Sequence, residues 1–177
     1  MQNESNINNV QDTRQNSKIK RLALPREPLS AKQIQAVLAI ADPEWTGIIK
    51  VGKCTGQRLS DIARLRWKDV DPQERLIRFP AWKTSRPKEV GIPHALDEVL
   101  LNVQKPENAD SPIFPRAFEP AMRNWGALEY QFVAMQVRAK LKPWKFHLLR
   151  VTLLKNLCAQ GFPVLTMRRL FRNLSQM

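Results

Sequence analysis

Arg58, Lys83, His147 and Arg150 are the residues of this chain whose types and spacing suit them to chemistry. Arg58 lies two residues after Gly56 in the run Thr55-Gly56-Gln57-Arg58-Leu59-Ser60-Asp61. It opens an amphipathic helical pattern, so its guanidinium projects from a helix start, where backbone N–H groups favour an anion. His147 and Arg150 stand three apart on a second predicted helix and share one face, with Leu154 a turn further along. Leu149, Leu153 and Leu157 make a different, apolar face of the same helix. Lys83 sits between these boxes in the polar turn Trp82-Lys83-Thr84-Ser85-Arg86-Pro87-Lys88. Asp61 bears the same three-residue relation to Arg58, in position to orient or neutralise an arginine there.

Two guanidiniums, one ammonium and one imidazole suit a phosphate. A phosphodiester undergoing transfer spreads negative charge over its non-bridging oxygens, and guanidinium forks match those oxygens without ever losing charge. A lysine whose ammonium is partly desolvated can protonate a departing alkoxide, and a histidine can hold an oxygen or move a proton. What this set lacks is a nucleophile. The one tyrosine, Tyr130, precedes the His147 box within a helical run and reads as a packing residue.

The composition agrees with a polyanionic partner. The 177 residues carry 29 Lys+Arg against 16 Asp+Glu, a net charge of +13, and 43% of them are hydrophobic, enough for one substantial core. No apolar run approaches the ~20 residues that span a bilayer, and the N-terminus is polar rather than signal-like, so the expected location is the cytoplasm. Cys54 and Cys158 read as buried free thiols. With two histidines and two cysteines the chain suggests no zinc cluster, and no cofactor is called for.

The elements that must position these residues follow from periodicity. Residues 1–27 are rich in Asn, Gln and Ser, with a basic knot at Lys18, Lys20 and Arg21, and read as a flexible polar tail ahead of one domain at 28–177. Ser30 and Gln33 form a capping box, and Ile34, Val37, Leu38 and Ala41 follow on one helical face. A second helix is expected over 44–53 and a third from Arg58 to about Trp67. Leu76-Ile77-Arg78-Phe79 and Glu89-Val90-Gly91-Ile92 read as strands of a small antiparallel sheet of two or three. Leu96, Val99, Leu100 and Val103 restore a helical face, and residues 105–115 form a proline-punctuated loop. One long helix is expected over 118–141, with Phe118, Ala121, Met122, Trp125, Leu128 and Phe132 inward. Two more run over 146–160 and 163–171, with Gly161 and Pro163 marking the break. The fold class is α+β, mainly α.

With the boxes placed, a family resemblance can be stated. Thr55-Gly56-Gln57-Arg58 through Trp67-Lys68-Asp69-Val70-Asp71 resembles the first-arginine box of the tyrosine recombinases, the phage-integrase family. Lys83-Thr84 with Val90-Gly91-Ile92-Pro93 resembles its catalytic-lysine hairpin, and Phe146-His147-Leu148-Leu149-Arg150 its histidine–arginine box. Three such boxes in order are more specific than any one alone. The resemblance implies a site-specific recombination or integration domain that binds duplex DNA. In it Arg58 and Arg150 clamp the scissile phosphate, Lys83 protonates the leaving 5′-oxygen and His147 assists, with Asp61 at an acidic position near the first arginine.

The chain departs from the pattern in three places. Leu170-Phe171-Arg172-Asn173 stands where the family carries a second His or Trp, Val151 follows Arg150 in place of the common His, and the family's nucleophilic tyrosine would fall beyond Met177. These departures imply a C-terminally truncated catalytic domain, lacking the N-terminal core-binding domain and inactive alone. Exposed Leu170, Phe171 and Leu174 would then favour self-association or a frayed C-terminus, and the expected protein partners are a second copy or a full-length recombinase. The alternatives are a non-catalytic DNA-binding module derived from an integrase, and a basic helical protein that binds RNA and matches the boxes by chance.

Overall fold

The computed structural model describes residues 27–79, 88–92, 94–102 and 107–162. The chain enters at Leu29, whose backbone N–H donates to Thr152 Oγ1 at 2.8 Å in the interior. Helix α1 (Ala31–Leu38) starts with the capping box that its sequence announces: Ser30 Oγ accepts from Gln33 N–H, and the Gln33 side chain accepts from Ser30 N–H. Ile34 and Val37 are buried. Helix α2 (Pro43–Thr55) begins with Asp42 accepting from Trp45 N–H and with proline at its first position, and ends at Gly56. Gly56 has φ 62° and ψ 19°, the left-handed conformation that a residue without Cβ adopts at little cost.

Helix α3 (Leu59–Ala63) is shorter than the helix to Trp67 that its periodicity predicts. Beyond Arg64 the backbone leaves the helix to bond a distant segment. Leu65 O accepts from Ile113 N–H, Arg66 bridges to Pro112, and Trp67 and Lys68 donate to Ser111 O and Ala109 O. A 3₁₀ turn (Trp67–Asp69) then leads into a three-stranded antiparallel sheet of β1 (Val70–Asp71), β2 (Leu76–Phe79) and β3 (Lys88–Gly91), in the order β1-β2-β3. Val70 pairs with Ile77 and Phe79 with Lys88, so Ile77 and Phe79 share the buried face of the sheet.

A second 3₁₀ turn (His94–Leu96) and helix α4 (Asp97–Asn102) follow the sheet. The single long helix expected over 118–141 is in fact two, α5 (Pro115–Arg123) and α6 (Trp125–Arg138), parted at Asn124 with φ −141° and ψ 84°. The Arg64 guanidinium donates through Nε, at 3.1 Å, and Nη2 to the Ala121 carbonyl beside this break, serving as a cap from outside the helix. The break also turns Met122, expected inward, out to 47% exposure, while Ala121, Leu128 and Phe132 are buried as expected. Helix α7 (Leu148–Ala159) closes the described structure. The helix expected over 163–171 and the tail at 1–26 lie outside the described residues. Cys158, expected to be buried, is exposed, and Cys54 is half-buried.

One core joins these elements. Trp45, Phe132, Trp144 and Phe146 form its aromatic centre, with Phe132 stacked on Trp45 at 5.7 Å and edge-on to Trp144 at 4.9 Å and Phe146 at 5.1 Å. Helix α2 packs on α7, and the contact is close. A Cβ built on Gly52 would stand 2.5 Å from Phe146 Cζ and 3.2 Å from Leu149 Cδ1.

Candidate functional site

The α2–α7 contact sets the geometry of the site. Arg58 is the N-cap residue of α3, two residues past the left-handed turn that ends α2. His147 is the N-cap residue of α7, and Arg150 lies one turn on, its N–H donating to the His147 carbonyl at 3.0 Å. Because α7 buries Leu148, Leu149 and Thr152 against the body, His147 is left exposed and Arg150 half-buried.

Residues 58, 61 and 150, remote in sequence, meet there electrostatically. Burial holds the Arg150 guanidinium below the ordinary arginine range, the nearby Arg58 guanidinium lowers it further, and the Asp61 carboxylate pulls it back up. Two cations sharing one neighbourhood with a single carboxylate leave surplus positive charge at the site. His147 is likewise held below its usual 6.5, first by loss of water around it, then by the Lys145 ammonium, with Glu129 acting the other way. The neutral imidazole is therefore its resting form at pH 7.

Lys83 lies outside the described residues. Its flanks are described: Phe79 of β2 stands directly opposite Lys88 of β3, so the residues between them, Lys83 included, join those two strand ends. Tyr130 is half-buried in the middle of α6.

Two residues at the site went unforeseen. Glu129 acts on His147 from α6, a proximity that exists only once α6 and α7 are packed, while Lys145 acts from two residues upstream, in the connection ahead of α7. Gln136, completely buried, ties that connection down. Its side-chain amide donates to Trp144 O at 3.0 Å and Phe132 O at 3.2 Å, and its oxygen accepts from Trp144 N–H at 2.7 Å. A glutamine set between Met135 and Val137 in the apolar stretch of α6 was the available signal. Among the described residues no group of three or more His, Cys, Asp or Glu side chains is arranged to hold a metal ion. No described helix is long and apolar enough to cross a membrane.

The family model described as the phage integrase family matches residues 27–171. Among solved structures, the fold is similar to the integrase from mycobacterium phage Brujita, with a TM-score of 0.64 and 19% identity over 88% of this chain and 52% of that one. It is similar to the catalytic domain of bacteriophage HP1 integrase, with a TM-score of 0.61 and 21% identity over 84% of this chain and 81% of that one. It is also similar to the Tn1549 transposon integrase in complex with transposon right end DNA, with a TM-score of 0.61 and 18% identity over 82% and 57% of the respective chains. The chain thus spans about half the length of the Brujita integrase chain. No curated protein sequence matches it. At these identities the structural likeness is one of fold.

Proposed function

Because the chain belongs to the phage integrase family, we propose that it binds duplex DNA and grips one backbone phosphate between Arg58 and Arg150 for site-specific recombination. The observation that carries this reading is the α2–α7 contact, which brings Arg58 and Asp61 near enough to the half-buried Arg150 for their charges to act on its guanidinium. Like charges held close are costly until an anion sits between them, and a phosphate presents oxygens to both forks. His147, neutral at rest, hydrogen-bonds a non-bridging oxygen and gains a proton as the phosphate's charge reaches it. Lys83 protonates the leaving 5′-oxygen, and Asp61 orients the arginines. Duplex DNA as partner is further supported by the net charge of +13 and by the Tn1549 integrase, whose fold is similar and whose structure holds DNA.

We assign no nucleophile among these 177 residues. The single tyrosine is half-buried in mid-helix, and we assign it no part in gripping the phosphate. A polypeptide of these residues therefore binds without cleaving, which also accommodates the second reading, a DNA-binding module derived from an integrase. A recombinase that brings its own nucleophile is the protein partner this arrangement would need for strand transfer, whereas a second copy would add only a second cradle. A nicked suicide duplex tests the assignment. The expected result is retained, salt-sensitive binding with no covalent protein–DNA adduct, and binding weakened by Arg150→Lys, which keeps the charge but loses the fork. Covalent capture through Tyr130 would overturn the assignment. Preference for structured RNA over duplex would overturn the function.

A further inference from the structure

We propose that the connection between α6 and α7 is a second phosphate-contact surface, on which Arg138, Lys140, Lys142 and Lys145 track the DNA backbone leading to the Arg58–Arg150 cradle. The inference rests on the duplex-binding reading and adds where the rest of the duplex lies.

Three observations carry it. The first is a segregation of charge. Elsewhere five cations are answered, Lys68 by Asp110, Arg75 by Asp97, Arg78 by Asp71 and Glu89, Arg116 by Asp42 and Glu44, and Arg123 by Glu119, while the exposed Lys32, Lys53 and Lys155 stand singly on α1, α2 and α7. Arg138, Lys140, Lys142 and Lys145 are all exposed, and among the described residues no carboxylate pairs with any of them. The sequence reinforces this, since no Asp or Glu follows Glu129.

The second is alternation. Between α6 and α7 the apolar residues Pro143, Trp144 and Phe146 are buried and Leu141 is half-buried, while Lys140, Lys142, Lys145 and His147 are exposed. The connection therefore shows its cations on the same outer side as the histidine. Lys145, two residues ahead of His147, is near enough to depress its protonation, so the connection's last cation adjoins the histidine that heads α7.

The third is rigidity. Gln136 holds both the N–H and the carbonyl of Trp144, Leu141 N–H donates to Gln136 O at 2.9 Å, and Lys140 is set in a left-handed turn with φ 57°. Cations displayed from a pinned backbone lose less freedom on meeting phosphates than cations on a loose loop.

The test is the salt dependence of binding to a fluorescent random-sequence duplex. Each phosphate contact contributes about 0.9 to the slope of log K against log salt. The variant Arg138→Gln, Lys140→Asn, Lys142→Gln removes three charges, with asparagine chosen to suit the left-handed position. Its slope should be shallower than the parent's by about 2–3. Arg138→Lys with Lys142→Arg should keep the parent slope, and so should Lys68→Gln, whose ammonium is already answered by Asp110. An unchanged slope in the triple variant, with the parent binding normally, would end this proposal and leave the cradle standing. A loss in Lys68→Gln of about a third of the triple variant's, the same per charge removed, would also end it, by tracing the effect to net charge. A parent with no salt-dependent duplex binding would remove both this surface and the function proposed above.

Discussion

At the scale of single residues, the site stores repulsion in the absence of its ligand. Beyond the effect of burial, Arg58 lowers the proton affinity of the Arg150 guanidinium and Asp61 acts the other way. Arg58→Gln should therefore raise the thermal midpoint of the DNA-free protein slightly while weakening duplex binding, a trade of function for stability. Calorimetry with and without duplex checks this, since the order of the two midpoints should reverse when DNA is added. His147 makes a pH-dependent counterpart. Its imidazole titrates at 6.5 in the unfolded chain and lower in the folded one, so between those values the unfolded chain holds the extra proton. Stability should fall as pH drops through 6.5 and level off below the folded value. His147→Gln should flatten that part of the curve. Duplex binding should tighten over the same acidification, because the bound phosphate favours the protonated ring, and the tightening should be lost in His147→Gln. The identities of Arg58, His147 and Arg150 as candidates were legible because each box is local, a few residues on one helix start. That Glu129 modulates His147 was not legible, since nothing in the sequence sets the α6–α7 packing, whereas Lys145 is a neighbour two residues upstream.

At the scale of elements, two contacts decide whether the site assembles. Gln136 satisfies both backbone groups of a buried tryptophan, and Gln136→Leu would strand a buried donor and acceptor at a cost of about 1–3 kcal/mol. The expected readout is a lower denaturant midpoint with unchanged slope, together with faster amide exchange at Trp144. Gly52 is the point where α2 and α7 touch. Gly52→Ala would drive a methyl into the Phe146 ring, which Phe132 backs on its other side, and overpacking of this kind costs about 1–3 kcal/mol. Weaker DNA binding should accompany the lost stability, because the Phe146–Leu149 segment that must shift carries His147 and adjoins Arg150. The ends of α1 and α2 were readable from Ser30, Gln33, Asp42, Pro43 and Gly56, whose capping chemistry is local. The early end of α3 was not. Its competitor for Leu65 to Lys68 is the segment around 109–113, and a pairing that remote leaves no trace in helical periodicity. The break at Asn124 had one hint, Pro120 within the run, but the Arg64 cap that makes the break affordable comes from another helix.

At the scale of the whole molecule, charge and fold class were plain from composition and pattern. A mainly helical domain with a small antiparallel sheet is what the alternation of 3.6-residue and two-residue periods required, and the third strand completes it at Val70 and Asp71. Net charge announced a polyanion but not where it lies, because the distribution of cations depends on which carboxylates fold back to meet them. Five exposed cations on the sheet and helices find such partners, and the row ahead of α7 finds none among the described residues.

The stitch between Leu29 and Thr152 has a practical corollary. It moors Leu29 to the very helix that holds Arg150, so a probe attached at Glu27 sits close to that helix. A small dye coupled through a cysteine placed at Glu27 should change its emission when duplex arrives, and a bulky fusion at the same point should slow the duplex's approach. An unaltered signal with binding proved by another method would mean that the DNA approaches from the opposite flank.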